Sequence, residues 1–262
     1  MNKLYRHLST AAAAITMSAT AHAAPFTIAD TYVGSDGHGK GDVIGHTSKY
    51  QINDMVVELM GDDLIVTIST NMDAGLGTAA SKTLTALSEG KGIGWGDLFI
   101  SVDGWDPFGP APFWDDDNTN GEKWEYGVAL DDRWDASSST AALYALNGAT
   151  NDDNAYLSED FMSAGLFRNG QEAAVDTSVG DTEWKKAVDD VAMTGGDIKF
   201  TIDTVDTSLH GKTVGELGFH WAITCGNDTI EGMPEPTTVA MLILGVACIG
   251  LAQVRRRKMV RS

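Results

Sequence analysis

Apolar and polar residues alternate with a period of two in seven segments of the chain. The clearest is 217–224, in which Leu217, Phe219, Trp221 and Ile223 share one face and smaller or polar residues share the other. Because successive side chains of a strand point to opposite faces, this alternation predicts β-strands with one covered face. The other six segments are 54–60, 64–70, 97–103, 124–130, 140–146 and 198–205.

Glycine and aspartate separate these segments, as is typical of all-β domains. Gly61-Asp62-Asp63 lies between the first two and predicts a hairpin with a three-residue loop. Strict alternation favours antiparallel strands that a second sheet covers on one side. We therefore predict a single antiparallel β-sandwich, jelly-roll-like in its connections.

Two segments depart from the alternation. Residues 181–188 begin with Asp181 as a helix cap and place Trp184, Ala187 and Val188 on one helical stripe, although the same residues also fit an irregular strand. Residues 74–96 contain six glycines and predict a long exposed loop.

Both ends of the chain differ from the body. Lys3 and Arg6 precede an apolar stretch that ends in Ala21-His22-Ala23, which predicts a signal peptide cut after Ala23. At the other end, the 18 residues 237–254 contain no Asp, Glu, Lys or Arg, and a basic tail, 255–262, follows. This pattern predicts a short membrane-spanning helix with its basic end in the cytoplasm.

Met233-Pro234-Glu235-Pro236 stands directly before that span. The order of motif, span and basic end resembles the PEP-CTERM sorting signal of Gram-negative bacteria, although many members have Val where this chain has Met233. The resemblance implies export through the Sec translocon, cleavage by signal peptidase, transient anchoring in the inner membrane and removal of the tail by an exosortase. The mature protein would lie at the cell surface or be secreted.

The end of the body supports the same comparison. An aromatic strand and then Cys225-Gly226-Asn227-Asp228 precede the motif, as in a group of exosortase-dependent surface proteins. That likeness implies a location and no reaction. It gives three regions: a signal peptide, 1–23; a β-sandwich domain, 24–232; and a sorting signal, 233–262.

The charge of the body excludes some partners. The chain carries a net charge of −19, but two cations belong to the signal peptide and five to the tail, so residues 24–236 carry −26. Such a body repels phosphate backbones and anionic membranes, which argues against nucleic acid as a partner. It suits either a soluble surface protein or one that binds divalent cations.

The cysteines allow no disulfide within the body. Cys248 lies in the predicted span, so Cys225 is alone in residues 24–232. It is either a small buried apolar residue or a free thiol.

One segment has the spacing of a calcium loop. Asp116, Asn118 and Asn120, followed by Gly121, match the first half of an EF-hand loop, but its twelfth position is Gly127 instead of glutamate. Glu125 or Glu122 could complete a looser calcium site. The alternative is a solvated turn, which Asp and Asn also favour.

Aromatic residues near this segment suggest a second kind of ligand. Trp105, Trp114 and Trp124 could stack on sugar rings, with an exopolysaccharide as partner, or they could fill the core instead. His38, His46, His210 and His220 are scattered without a metal-binding spacing.

We therefore expect an exported, non-enzymatic surface or matrix protein. The alternatives are a glycan-binding module that calcium supports and, third, an enzyme acting on polysaccharide.

Overall fold

The structure is a computed structural model that describes residues 25–30, 43, 47–72, 94–107, 122–133, 140–149, 172–177, 182–224 and 228–234. In these residues eleven strands form two antiparallel sheets, and the helices are short: α1 (Thr47–Tyr50) and a 3-10 helix, Val214–Glu216. The first sheet contains β1 (Phe26–Ala29), β2 (Ile52–Met60), β3 (Asp63–Thr70), β8 (Asp190–Thr194) and β9 (Asp197–Asp203). The second contains β4 (Leu98–Ser101), β5 (Trp124–Leu130), β6 (Ala141–Ala149), β7 (Glu183–Ala187), β10 (Gly218–Ala222) and β11 (Thr229–Gly232).

The all-β, two-sheet expectation is confirmed. The strand orders are β1-β2-β3-β9-β8 in the first sheet and β11-β10-β4-β5-β6-β7 in the second. Seven of the ten successive strand pairs are neighbours in the same sheet. A jelly roll is built from two Greek keys, so this meandering order corrects the jelly-roll-like expectation for the described strands.

The core lies between the two sheets. Every strand except β7 contributes side chains to it, and the largest apolar cluster joins residues of both sheets. Its fully buried members include Met55, Val66 and Phe200 from the first sheet, and Ile100 and Trp221 from the second. Burying each such side chain contributes about 1.5–3 kcal/mol relative to leaving it exposed.

The second sheet is buried on its outer face as well. Phe99, Trp124, Ala129, Leu146 and Val175 form a separate apolar cluster there. The segment 172–177 covers this face so closely that a Cβ added at Gly127 would lie 2.4 Å from Val175 Cγ2. The expectation of one covered face per sheet is thus too simple for the second sheet.

The structure decides two local predictions. Asp63 pairs with Met60, so the first hairpin has a two-residue turn, with Gly61 at φ 69°, and the predicted three-residue loop is wrong. Of the two alternatives for 181–188, the strand is confirmed: Glu183–Ala187 form β7, which pairs with β6 and leaves Trp184 58% exposed. After β10 the chain forms a further strand, β11.

The predicted exposed loop 74–96 is buried at its end. Residues 73–93 lie outside the described part, but Trp95 is buried and packs on Trp221, with ring centroids 6.1 Å apart. Gly96 has no room for a side chain, since an added Cβ would lie 1.7 Å from the carbonyl oxygen of Ala222.

Candidate functional site

A buried group of one histidine and two glutamates lies on the outer face of the second sheet. Its members are Glu172, His220 and Glu231, and we call it the Glu–His–Glu group. One nitrogen or oxygen atom from each residue lies within 4.8 Å of the corresponding atoms of the other two. All three side chains are buried.

Strand pairing brings two of these residues together. His220 on β10 is directly opposite Glu231 on β11, so both side chains project from the same face. His220 Nδ1 lies 2.8 Å from Glu231 Oε2. The row continues across the sheet through Phe99, which pairs with His220 on its other side.

A third buried carboxylate, that of Asp97, holds the segment that contains Glu172 in place. Asp97 Oδ2 accepts a hydrogen bond from Val175 N at 2.7 Å, and Asp97 N donates to the carbonyl of Ala173 at 3.0 Å. Arg133 donates to both oxygens of Asp97, at 3.0 and 3.1 Å. These contacts fix the segment 172–177 against the sheet and set the position of Glu172 above His220.

Contacts to the backbone and to aromatic rings orient the group. His220 Nε2 lies 2.7 Å from the carbonyl oxygen of Glu172 and 3.8 Å from Glu172 Oε2. Trp105 Nε1 donates to Glu231 Oε1 at 2.7 Å. The rings of Phe99 and Trp124 lie 5.7 and 5.6 Å from the imidazole, measured between centroids. The group therefore has an apolar wall and is closed to bulk water.

Burial changes the proton affinities of two members. The net pKa of Glu172 is raised to about 7, mainly by burial, while His220 lowers this pKa and the charge of Glu231 raises it. Burial by itself lowers the pKa of His220, but the hydrogen bond with Glu231 and the nearby carboxylates outweigh it, and the net pKa is raised. The group thus retains protons, or another cation, more strongly than the free side chains do.

Glu122 lies near this group, and Glu125 lies near Glu122. Glu122 accepts hydrogen bonds from the backbone N–H groups of Lys123, at 2.8 Å, and Asp106. Burial raises its pKa to about 7, and the charges of Glu231 and Glu125 add to the rise. Glu125 accepts a hydrogen bond from Val102 N at 2.9 Å, and burial raises its pKa too.

The two described tryptophans of the predicted glycan site differ in their exposure to solvent. Trp124 is fully buried, so it has no face for a sugar ring, and its proposed role is corrected. A bulge between Trp124 and Tyr126 turns the Trp124 ring onto the outer face of the second sheet, where it is buried beside Phe99. Trp105 is 38% exposed, and Trp114 lies outside the described residues.

Most of the predicted calcium and sorting residues lie outside the described part of the chain. These are Asp116, Asn118, Asn120, Cys225, Glu235, Pro236, Ala21, Ala23 and the span 237–254. Glu125, the fourth calcium candidate, is half-buried on β5 and bonded to Val102. Pro234 is buried, and Met233 is 43% exposed. Among the residues that the structure describes, no helix is long and apolar enough to cross a membrane.

The sequence patterns missed the Glu–His–Glu group. His220 was assigned to the polar face of its strand, and no histidine spacing suggested a metal site. Treating 229–232 as a strand that pairs antiparallel with 218–222 would have placed Glu231 opposite His220. No local pattern indicates Glu172, because the irregular segment 172–177 brings it to the site.

Comparisons with known proteins found no matching family model, no similar curated protein and no similar solved structure.

Proposed function

We propose that this chain is the precursor of an exported surface or matrix protein, that an exosortase processes it, and that its mature β-sandwich has no catalytic role. The single observation that carries this proposal is the position of the motif 233–236. Strand β11 ends at Gly232, so the Pro-Glu-Pro sequence begins two residues after the last strand that the structure describes, at the buried Pro234.

The packed strand β11 fixes the position at which the motif begins. Strand β11 has four residues and forms the edge of its sheet, where Ile230 is fully buried. Met233 follows the strand directly and lies near Gly104. A Cβ added at Gly104 would be 3.1 Å from Met233 Sδ. A packed last strand would hold the cleavage motif at a fixed distance from the domain.

The charge of the body fits the proposed destination. After loss of the signal peptide and the tail, residues 24–236 carry −26, which favours a soluble, well-hydrated surface. In this proposal the Sec translocon exports the chain, signal peptidase cuts after Ala23, and the span 237–254 holds the precursor in the inner membrane. The exosortase then releases the body or transfers it to the surface.

The test is replacement of Pro234, Glu235 and Pro236 by alanine in a host that has an exosortase. We expect the triple variant to remain in the membrane fraction with its tail intact, as shown by the mass of the purified protein. Met233→Val is the matched control, because valine is common at that position in the family that the tail resembles. Normal processing of the triple variant would overturn the proposal.

The described residues do not favour glycan binding as a second function. A pair of exposed rings in a groove would support it, but Trp124 is enclosed and Trp105 donates its N–H to Glu231.

A further inference from the structure

We propose that Glu172, His220 and Glu231 bind one divalent transition-metal ion, with zinc the best fit, and that this ion fastens the last strand to the domain. The proposal starts from the geometry of the imidazole. A carbonyl oxygen accepts hydrogen bonds and has no proton to donate, so the contact of His220 Nε2 with the Glu172 carbonyl at 2.7 Å places a proton on Nε2.

The other ring nitrogen then faces an oxygen that also lacks a proton of its own when ionised. His220 Nδ1 lies 2.8 Å from Glu231 Oε2, and two lone pairs at that distance repel each other. A proton or a metal ion must therefore bridge them. A proton would give either an imidazolium paired with the carboxylate or a neutral imidazole that accepts from a protonated Glu231, whereas a metal ion would be bound to both atoms.

The unpartnered oxygen of Glu172 favours the metal. Glu172 is 1% exposed, and its Oε2 makes no hydrogen bond of normal geometry among the described residues, although the side chain of Trp124, whose buried Nε1 is also unpartnered, is close enough to lower the pKa of Glu172. A buried acceptor without a partner is costly, and a proton held between His220 and Glu231 would leave this oxygen unsatisfied. A metal ion bound by all three residues would satisfy it.

The charges also balance. Two carboxylates and one neutral imidazole carry −2, which a divalent ion neutralises inside a pocket walled by Phe99 and Trp124. The contacts around the group match those that orient metal ligands, since the histidine gives its other N–H to a backbone carbonyl and Trp105 donates to the carboxylate of Glu231.

The donor set selects the class of metal. One imidazole nitrogen and two carboxylate oxygens suit zinc and neighbouring transition metals, whereas calcium takes six to eight oxygen ligands. A tetrahedral zinc ion holds its ligand atoms about 3.3 Å apart. His220 Nδ1 and Glu231 Oε2, now 2.8 Å apart, would separate by about half an ångström on binding. The Glu172 carboxylate, whose ligand atom lies within 4.8 Å of the other two, would move closer by at most about 1.5 Å.

Such an ion would link three parts of the chain that are distant in sequence. It would join β10, the terminal edge strand β11 and the segment 172–177. Glu231 lies two residues before Met233, so the ion would hold the strand that carries the sorting motif.

The experiment uses the full chain, purified in detergent, stripped with EDTA and titrated with Zn²⁺ and Co²⁺. We expect one equivalent of tightly bound zinc by calorimetry and by elemental analysis after dialysis. We also expect visible cobalt bands of a low-coordinate site and a zinc-dependent rise in the melting temperature. Glu172→Gln and Glu231→Gln, which preserve side-chain volume, should weaken zinc binding by at least roughly 100-fold.

Glu122→Gln is the matched control, because Glu122 is a buried glutamate near the group and not a member of it. It should keep the stoichiometric site. Two results would overturn the proposal: absence of stoichiometric binding to the wild-type chain, or binding that all three variants retain. The second result would mean adsorption to surface carboxylates. If the glutamine variants do not fold, the cobalt spectrum of the wild-type chain decides by itself, since surface carboxylates give the weak spectrum of octahedral cobalt.

Discussion

Asp228 joins the two sheets through the backbone of Ile52. Its Oδ2 atom accepts a hydrogen bond from Ile52 N at 2.6 Å, and its Oδ1 atom accepts one from Thr229 N at 3.0 Å. Ile52 begins β2 in the first sheet, whereas Asp228 immediately precedes β11 in the second. One fully buried carboxylate thus fixes the start of the last strand against the opposite sheet.

Replacing Asp228 with alanine should lower the free energy of unfolding by about 3 kcal/mol, because two backbone N–H groups, both in buried surroundings, lose a charged acceptor. Asp228→Asn, which keeps one acceptor oxygen, should cost less. Urea denaturation measures both. Asp206→Asn is the control: Asp206 is exposed at φ 63°, which asparagine tolerates, so its effect should stay within about 0.5 kcal/mol. Equal costs at the two positions would contradict this role of Asp228.

Gly96 should tolerate no side chain. A methyl group there would overlap the carbonyl of Ala222, and Gly96 also supplies the carbonyl that Trp221 Nε1 bonds at 2.9 Å. We expect Gly96→Ala to destabilise the fold by about 3 kcal/mol or more. Gly215→Ala meets open space and should be neutral or slightly stabilising. Thermal melts of the two variants, run side by side, make the comparison.

Glu122 should make stability depend on pH between about 4.5 and 7. Its pKa is 4.5 when unfolded and about 7 when folded, so the folded state binds the proton more tightly over this interval. The contribution of Glu122 to stability should therefore be fully present below pH 4.5 and be lost as the pH rises through about 7. Relative to Glu122→Gln, the wild type should lose about 2 kcal/mol, a figure reduced for solvent screening.

The control for this titration is Glu216→Gln, whose pH dependence should have the opposite sign. Hydrogen bonds from the side chain and the N–H of Thr213 lower the pKa of Glu216 below 4.5. Its contribution is present above pH 4.5 and is lost as the pH falls further. Denaturant midpoints measured in EDTA at half-unit steps would test both. A flat difference for Glu122→Gln would refute the assignment of a raised pKa.

Trp105 should act as a positioning residue for the proposed metal site. Trp105→Phe removes the hydrogen bond to Glu231 but keeps most of the ring, which is 38% exposed. We expect zinc affinity to fall about 10–100-fold. The metal-free protein should also melt at a lower temperature, because the buried Glu231 Oε1 loses its donor. Trp184→Phe, at a 58% exposed position on β7, should leave the affinity unchanged. An unchanged zinc affinity in Trp105→Phe would show that Trp105 does not position the metal ligands.

Sequence alternation determined most of the strands. The alternation predicts 124–130 with its observed bounds. It also predicts the two strands that flank Gly61, and the strand 98–101, with bounds that agree to within two residues. Alternation works there because each strand has an inner face whose side chains must be apolar to join the core. It failed for β1, β7, β8 and β11, which are the edge strands of the two sheets. Their side chains are not divided regularly between the core and solvent, so the sequence shows no clear period there.

The two end segments of the sequence predict by themselves that the chain is exported and sorted, because targeting signals are local and need no fold. The candidate site depended on tertiary structure. Glu172, His220 and Glu231 come from three segments up to 59 positions apart, and strand register, the Asp97–Arg133 ion pair and a second covered face bring them together. Burial decided their chemistry, because a carboxylate or an imidazole changes its affinity for protons and metal ions only after the fold has removed it from water.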